Sequence, residues 1–179
     1  MTAFGRALRK TIFVVCEGAS ERGYMRGLNR FLPRAAPNCL VAITDCDARG
    51  GSAVAVVERG AREIARRRRN GDKFDATFVF LDVPAAVEEL EAAKRRAARA
   101  ALRPIWQPGN HEAFLLSHFP TAARPKSVEA AWPGYAKGQD AIFYERKLTL
   151  ELLAAARKEN AGFDEFLNVC GLLRHAAGA

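Results

Sequence analysis

The chain has 179 residues, of which 49% are hydrophobic and 27% charged, and its formal net charge is +8. That length buries one sizeable core and fits a single domain, or one with a small appendage. Four cysteines, Cys16, Cys39, Cys46 and Cys170, form no close Cys-x-x-Cys pair, which argues against a zinc knuckle or a disulfide framework and fits a reducing, cytoplasmic compartment. The apolar run near the N-terminus stops at an acid too soon to be a signal-peptide core or a membrane span, so no membrane partner is expected. The basic balance has two readings, a polyanionic partner or an arginine-rich background, and composition does not choose between them.

Residues 1–10 read as a basic leader. Ile12–Cys16 is an unbroken apolar run that ends at Glu17 and Gly18, the pattern of a strand buried on both faces. Ser20 then suits a helix cap, and Tyr24, Leu28, Phe31 and Leu32 follow at helical spacing, with Pro33 and Pro37 expected to end that helix. A second strand is expected over Cys39–Ile43, followed by Asp45-Cys46-Asp47 and a glycine turn. Ser52 caps a second helix whose buried stripe is Val54, Val57, Ala61, Ile64 and Ala65.

Thr77–Leu81 repeats the first pattern, a buried strand closed by an acid, Asp82. Pro84 opens a third helix, acidic early and basic late, as the helix dipole favours. Pro104–Trp106 is a short fourth strand, residues 107–110 a turn, and His111–Phe119 a helix. The prolines of Pro120–Gly138 predict a loop, and two helices, Gln139–Arg157 and Phe163–Leu173, close the chain. This gives a core over 11–119, with the loop and helices of 120–179 packed on it.

Arg59, Arg62, Arg66 and Arg69 recur three or four residues apart on the second helix. They read either as a solvated helix end or as a ridge that tracks phosphates. The two histidines of HEAFLLSHF lie about 10.5 Å apart along a helix, too far for one shared metal. Strands alternating with helices predict an α/β fold with a parallel sheet of about four strands, helices on both faces and further C-terminal helices. In such a sheet Glu17, Asp45, Asp47 and Asp82 fall along the carboxyl edge, where ligands bind. Clustered carboxylates repel, and a hard cation such as Mg²⁺, bound through one or two of them with waters and substrate phosphates, relieves that repulsion.

The stretch VVCEGASERGYM, with Cys16, Glu17, Gly18, Ser20, Glu21 and Tyr24, resembles the opening motif of the RloB-like family. Glu112, His118 and Phe119 in HEAFLLSHF are similar to its second motif, and the segment around Tyr135 and Lys137 is also similar. The resemblance covers roughly residues 11–157. It implies a TOPRIM-like fold, the fold of topoisomerases, primases and some nucleases, in proteins regarded as nucleases of bacterial defence and restriction loci.

On that resemblance Glu17 is the motif glutamate, acting as general acid/base or metal ligand, and Asp82 is the first acid of an Asp-x-Asp motif. The second aspartate is replaced by Pro84, and the Asn-Pro turn before the second motif by Pro108-Gly109-Asn110. Asp47, Glu21 or Glu112 would then complete the site, or the site is weakened. The resulting expectation is a nuclease or related phosphoryl-transfer enzyme using Mg²⁺ or Mn²⁺. Its catalytic residues are Glu17, Asp82, Glu112 and His118, its metal ligands Glu17, Asp82 and Asp47, and its nucleic-acid contacts Arg59, Arg62, Arg66 and Arg69. The alternative is a catalytically weakened binding or accessory module of a defence system, with partner proteins encoded alongside it.

Overall fold

The structure is a computed structural model that describes residues 9–36 and 40–172. Four strands, β1 (Lys10–Cys16), β2 (Val41–Asp47), β3 (Ala76–Asp82) and β4 (Arg103–Gln107), form one sheet in the order β2-β1-β3-β4. All neighbours are parallel, with Cys16 level with Asp47 on one side and Phe80 on the other. Every crossover carries a helix: α1 (Ala19–Ala35), α2 (Ala53–Arg69) and α3 (Val87–Arg99). After β4 come α4 (His111–Leu116), a 3₁₀ turn (Thr121–Ala123), α5 (Val128–Ala131), α6 (Ala141–Lys147), α7 (Leu150–Glu159) and α8 (Ala161–Cys170).

The expected α/β class and four-stranded parallel sheet are therefore present, in an arrangement consistent with a TOPRIM-like fold. Successive strand residues point to opposite faces, and each face has its own core. Ile12, Val14, Cys16, Phe78 and Phe80 pack with α1 and with the helices after β4. Phe13, Val15, Val79 and Leu81 pack with α2 and α3. Helices thus leave β1 and β3 on opposite faces, which makes the gap between those strands the switch point of the sheet, where a crevice opens beyond their carboxyl ends. No helix among the described residues is long and apolar enough to cross a membrane.

Several boundaries differ from expectation. Gly18, not Ser20, is the N-cap of α1, and Glu21 reaches back to accept the Gly18 N–H at 3.0 Å. Pro33 lies inside the last turn of α1, which continues to Ala35, while Pro37 and Cys39 fall outside the described residues. β2 runs on to Asp47, because it is an edge strand and Arg22 and Arg26 of α1 each bind Asp45 at 2.8 Å. On α2, Val57 and Ile64 of the expected stripe are buried, but Val56 and Gly60 join them, Val54 and Ala61 are only partly covered, and Ala65 is exposed. α3 begins at Val87 rather than Pro84.

The single helix expected over 139–157 is broken at buried, extended Leu148, after which Thr149 caps α7 by accepting the Leu152 N–H. Gly27 of α1 allows α6 to approach: a Cβ there would sit 2.5 Å from the Tyr144 Cβ. Gly23 likewise lies against Gln139, where a Cβ would come 1.9 Å from its carbonyl oxygen. These contacts seat the 137–144 segment over the carboxyl edge of the sheet.

Candidate active site

Glu17 follows β1 directly. Its backbone N–H bonds to the Phe80 carbonyl at 3.0 Å, and its own carbonyl accepts the Gly50 N–H at 2.8 Å. Pinned on both sides, its carboxylate turns across the switch point, where Oε2 accepts the Asp82 N–H at 2.9 Å. Asp82 is the last residue of β3, and its Oδ1 is shielded from solvent without a hydrogen-bond partner. Burial, then the charges of Glu17, Glu21 and Glu112, push the Asp82 carboxyl up to about 7, against a smaller opposing pull from Lys137.

These groups line one cleft of about 380 Å³, whose walls include Glu17, Glu21, Asp82, His111, Glu112 and Lys137. Glu21 is buried, with Gln107 Nε2 donating to its Oε1 at 3.2 Å. Desolvation raises its pKa, although its hydrogen bonds oppose the shift. Glu112, in the first turn of α4, accepts the Tyr135 hydroxyl at 2.9 Å. Burial and that carboxylate together push the Tyr135 phenol well up. Lys137 stands next to Gly138, whose N–H is fixed by Ser20 Oγ at 3.1 Å.

The structure brings Glu17, Asp82 and Glu112 together, joins Glu21 to them, and leaves other expected site residues elsewhere. Asp47 is held on the β2 side by Arg22 at 3.4 Å and by the Arg49 N–H at 2.7 Å, and it does not line the cleft. His118 is in the core rather than the cleft: it is fully buried, its Nδ1 donates to the Phe114 carbonyl, and Tyr24 donates to its Nε2 at 2.7 Å. Burial lowers its pKa to about 4, so it is a neutral packing residue. Among the described residues no group of three or more His, Cys, Asp or Glu side chains is placed to hold a metal ion.

The four arginines do not form one surface beside the acids. α2 runs antiparallel to the strands, so Arg69 is about 24 Å along the helix from the end nearest the cleft. Arg59 packs on the Gly51 turn, with its Nε and Nη2 shielded from solvent. Arg62 lines a groove between α2 and α3 with Arg96 and Arg99. Arg66 pairs with Glu63 at 2.7 Å, and Arg69 is exposed.

Lys137 and Gln107 were not expected in the site. Lys137 sits in a Pro/Gly-rich loop with no periodicity. Gln107 had a readable signal, since it closes a short strand at its polar end as Glu17 and Asp82 close theirs, and it pairs with Asp82 in register. The chain matches no protein-family model, no curated protein and no solved structure.

Proposed function

We propose that the cleft belongs to a divalent-cation-dependent phosphoryl-transfer enzyme, a nuclease acting on nucleic acid. The carrying observation is Asp82, a carboxylate with an unpartnered shielded oxygen, raised to about 7 among three other acids. Such a group takes up either a proton or a cation. Glu17 and Asp82 would hold Mg²⁺ or Mn²⁺, which suits an ion that commonly uses one or two carboxylates and completes its shell with water and phosphate oxygens. Bound there, the ion would supply an activated water and charge stabilisation for phosphoryl transfer.

The protein's own groups have separate tasks. Glu112, fixed by Tyr135, accepts a proton at the cleft rim, and Lys137 offers positive charge to a phosphate. Arg62, Arg96 and Arg99 hold the polyanion away from the chemistry, in keeping with the +8 charge. The similarity of the first and second motifs to the RloB-like family favours a role in bacterial defence. The replacement of the second motif aspartate by Pro84, with no group of three ligands in place among the described residues, favours a second reading, an accessory module with weak or no catalysis.

Incubation of mixed DNA and RNA with the protein and Mg²⁺ or Mn²⁺, with EDTA controls, separates the readings. The enzyme reading expects metal-dependent cleavage by the wild type and at least about 100-fold less by Glu17→Ala. Equal cleavage by both removes Glu17 from the chemistry. No cleavage, with salt-dependent binding retained, leaves the accessory module.

A further inference from the structure

Glu21 is the deepest of the cleft acids, and both of its oxygens are already engaged. Oε2 accepts the Gly18 N–H at 3.0 Å, and Oε1 accepts from Gln107 Nε2 at 3.2 Å. Behind Gln107 the chain of polar contacts continues. His111 Nδ1 lies 3.1 Å from Gln107 Oε1, and His111 Nε2 lies 3.2 Å from the Tyr144 hydroxyl. Gln107, His111 and Tyr144 are all buried, so each donor needs an acceptor within the protein.

These contacts run in one direction. The imidazole is neutral, since burial pulls His111 down to about 3, so it has one N–H to give. Its 3.6 Å approach to Glu21 Oε1 is therefore not an ion pair. An amide presents its oxygen on one side and its nitrogen on the other. With the Gln107 nitrogen donating to the Glu21 carboxylate, the Gln107 oxygen faces His111 and requires a proton on Nδ1. Nε2 is then bare and accepts from the Tyr144 hydroxyl. Three hydrogen bonds thus point head to tail from α6, through α4 and the end of β4, onto one carboxylate in α1. Aligned bonds of this kind polarise one another.

We propose that Gln107 and His111 are positioning residues, with Tyr144 setting the His111 tautomer, and that together they lock Glu21 as a fixed acceptor and negative charge at the back of the cleft. Glu21 so held is not a ligand. It is the anion against which Glu17 and Asp82 must be balanced, and a cation entering between those two is the balancing charge. The groups facing it are Glu17 after β1, Asp82 on β3, His111 and Glu112 on α4, Tyr144 on α6, and Lys137 and Tyr135 on the segment before α6. This inference rests on the reading of the cleft as a cation site, and its test has one arm that does not.

The independent arm is ¹⁵N NMR of the histidine rings in the full chain, without metal. The expected signature for His111 is a protonated, slowly exchanging Nδ1 and a hydrogen-bonded bare Nε2. Tyr144→Phe, which removes one hydroxyl, shifts the Nε2 resonance toward that of a free acceptor. Glu21→Gln, which can donate back to Gln107, lets the chain reverse and moves the proton to Nε2. A wild-type ring protonated at Nε2, or a Glu21→Gln variant with an unchanged ring, overturns the inference.

The dependent arm is Mn²⁺ affinity. His111→Asn keeps an N–H where Nδ1 stands and stays within about threefold of wild type, while His111→Leu loses about 10-fold or more. Equal losses in the two variants overturn the positioning role. If His111→Leu does not fold, Tyr144→Phe replaces it, with a loss of about threefold expected and no loss counting against the chain. A wild type that binds no Mn²⁺ but has the expected tautomer removes the cation reading and leaves the Glu21 lock intact.

Discussion

Asp82 is where burial and like charge meet on one side chain, and its protonation follows. Its folded pKa of about 7 lies above the ordinary carboxylate value near 4. Between those two values the folded protein holds a proton that the unfolded chain releases, so stability falls as pH rises from about 4 to about 7, then levels off. Asp82→Asn, which cannot ionise, escapes that loss. Because Asp82 is only half-buried, solvent screening keeps the difference to about 1–2 kcal/mol. Urea unfolding in EDTA should show the variant gaining on wild type from pH 4.5 to 8. A constant difference between the two would mean that Asp82 titrates as an ordinary surface acid. The two histidines differ in the same way: His111 reaches the cleft wall, whereas His118 is sealed beneath Tyr24, Phe114 and Trp132.

Among the elements, the packing of α1 against α6 sets where Tyr144 stands behind His111. Gly27 leaves no space for a methyl group against Tyr144 and the Ala141 carbonyl. Gly27→Ala is expected to cost about 1–3 kcal/mol by overpacking, read as a lower midpoint in chemical denaturation. Gly71, whose Cβ would meet nothing within 4 Å, is the control for the substitution itself, although its φ of +95° adds local strain.

β1 and β3 were legible because a strand covered on both faces must be apolar throughout, and each stops at an acid. The end of β2 was not, because its acid is neutralised by Arg22 and Arg26, which lie one helix earlier in sequence. The α6–α7 break was hidden for a different reason. Leu148 continues the apolar face of a single helix, and the break comes from burial of an extended Leu148 with capping by Thr149, a residue type that favours helix starts over helix interiors. Glu17 and Asp82 could be paired from sequence alone, whereas Lys137 reaches the cleft, and Tyr144 reaches His111 behind it, through tertiary contacts that no local pattern encodes.

Over the whole molecule, the acids of the cleft and the arginine-rich helices stand apart. Acids gather at the carboxyl ends of β1 and β3, and much of the positive charge lies along α2 and α3. A polyanion would be held mainly on the helices and meet negative charge at the cleft unless a cation intervenes. Arg62→Ala with Arg99→Ala is therefore expected to weaken nucleic-acid binding at low salt and to reduce the slope of log affinity against log salt by about 1 per lost phosphate contact. An unchanged slope would place the polyanion on another surface.

The most direct measurement is titration of the metal-free protein with Mn²⁺, read by calorimetry and electron paramagnetic resonance, for wild type, Glu17→Gln and Asp82→Asn. A cation shared by the ends of β1 and β3 predicts one site in wild type, weakened about 10-fold or more by either substitution alone. Wild-type binding that neither substitution changes, or no binding up to millimolar Mn²⁺, would contradict it.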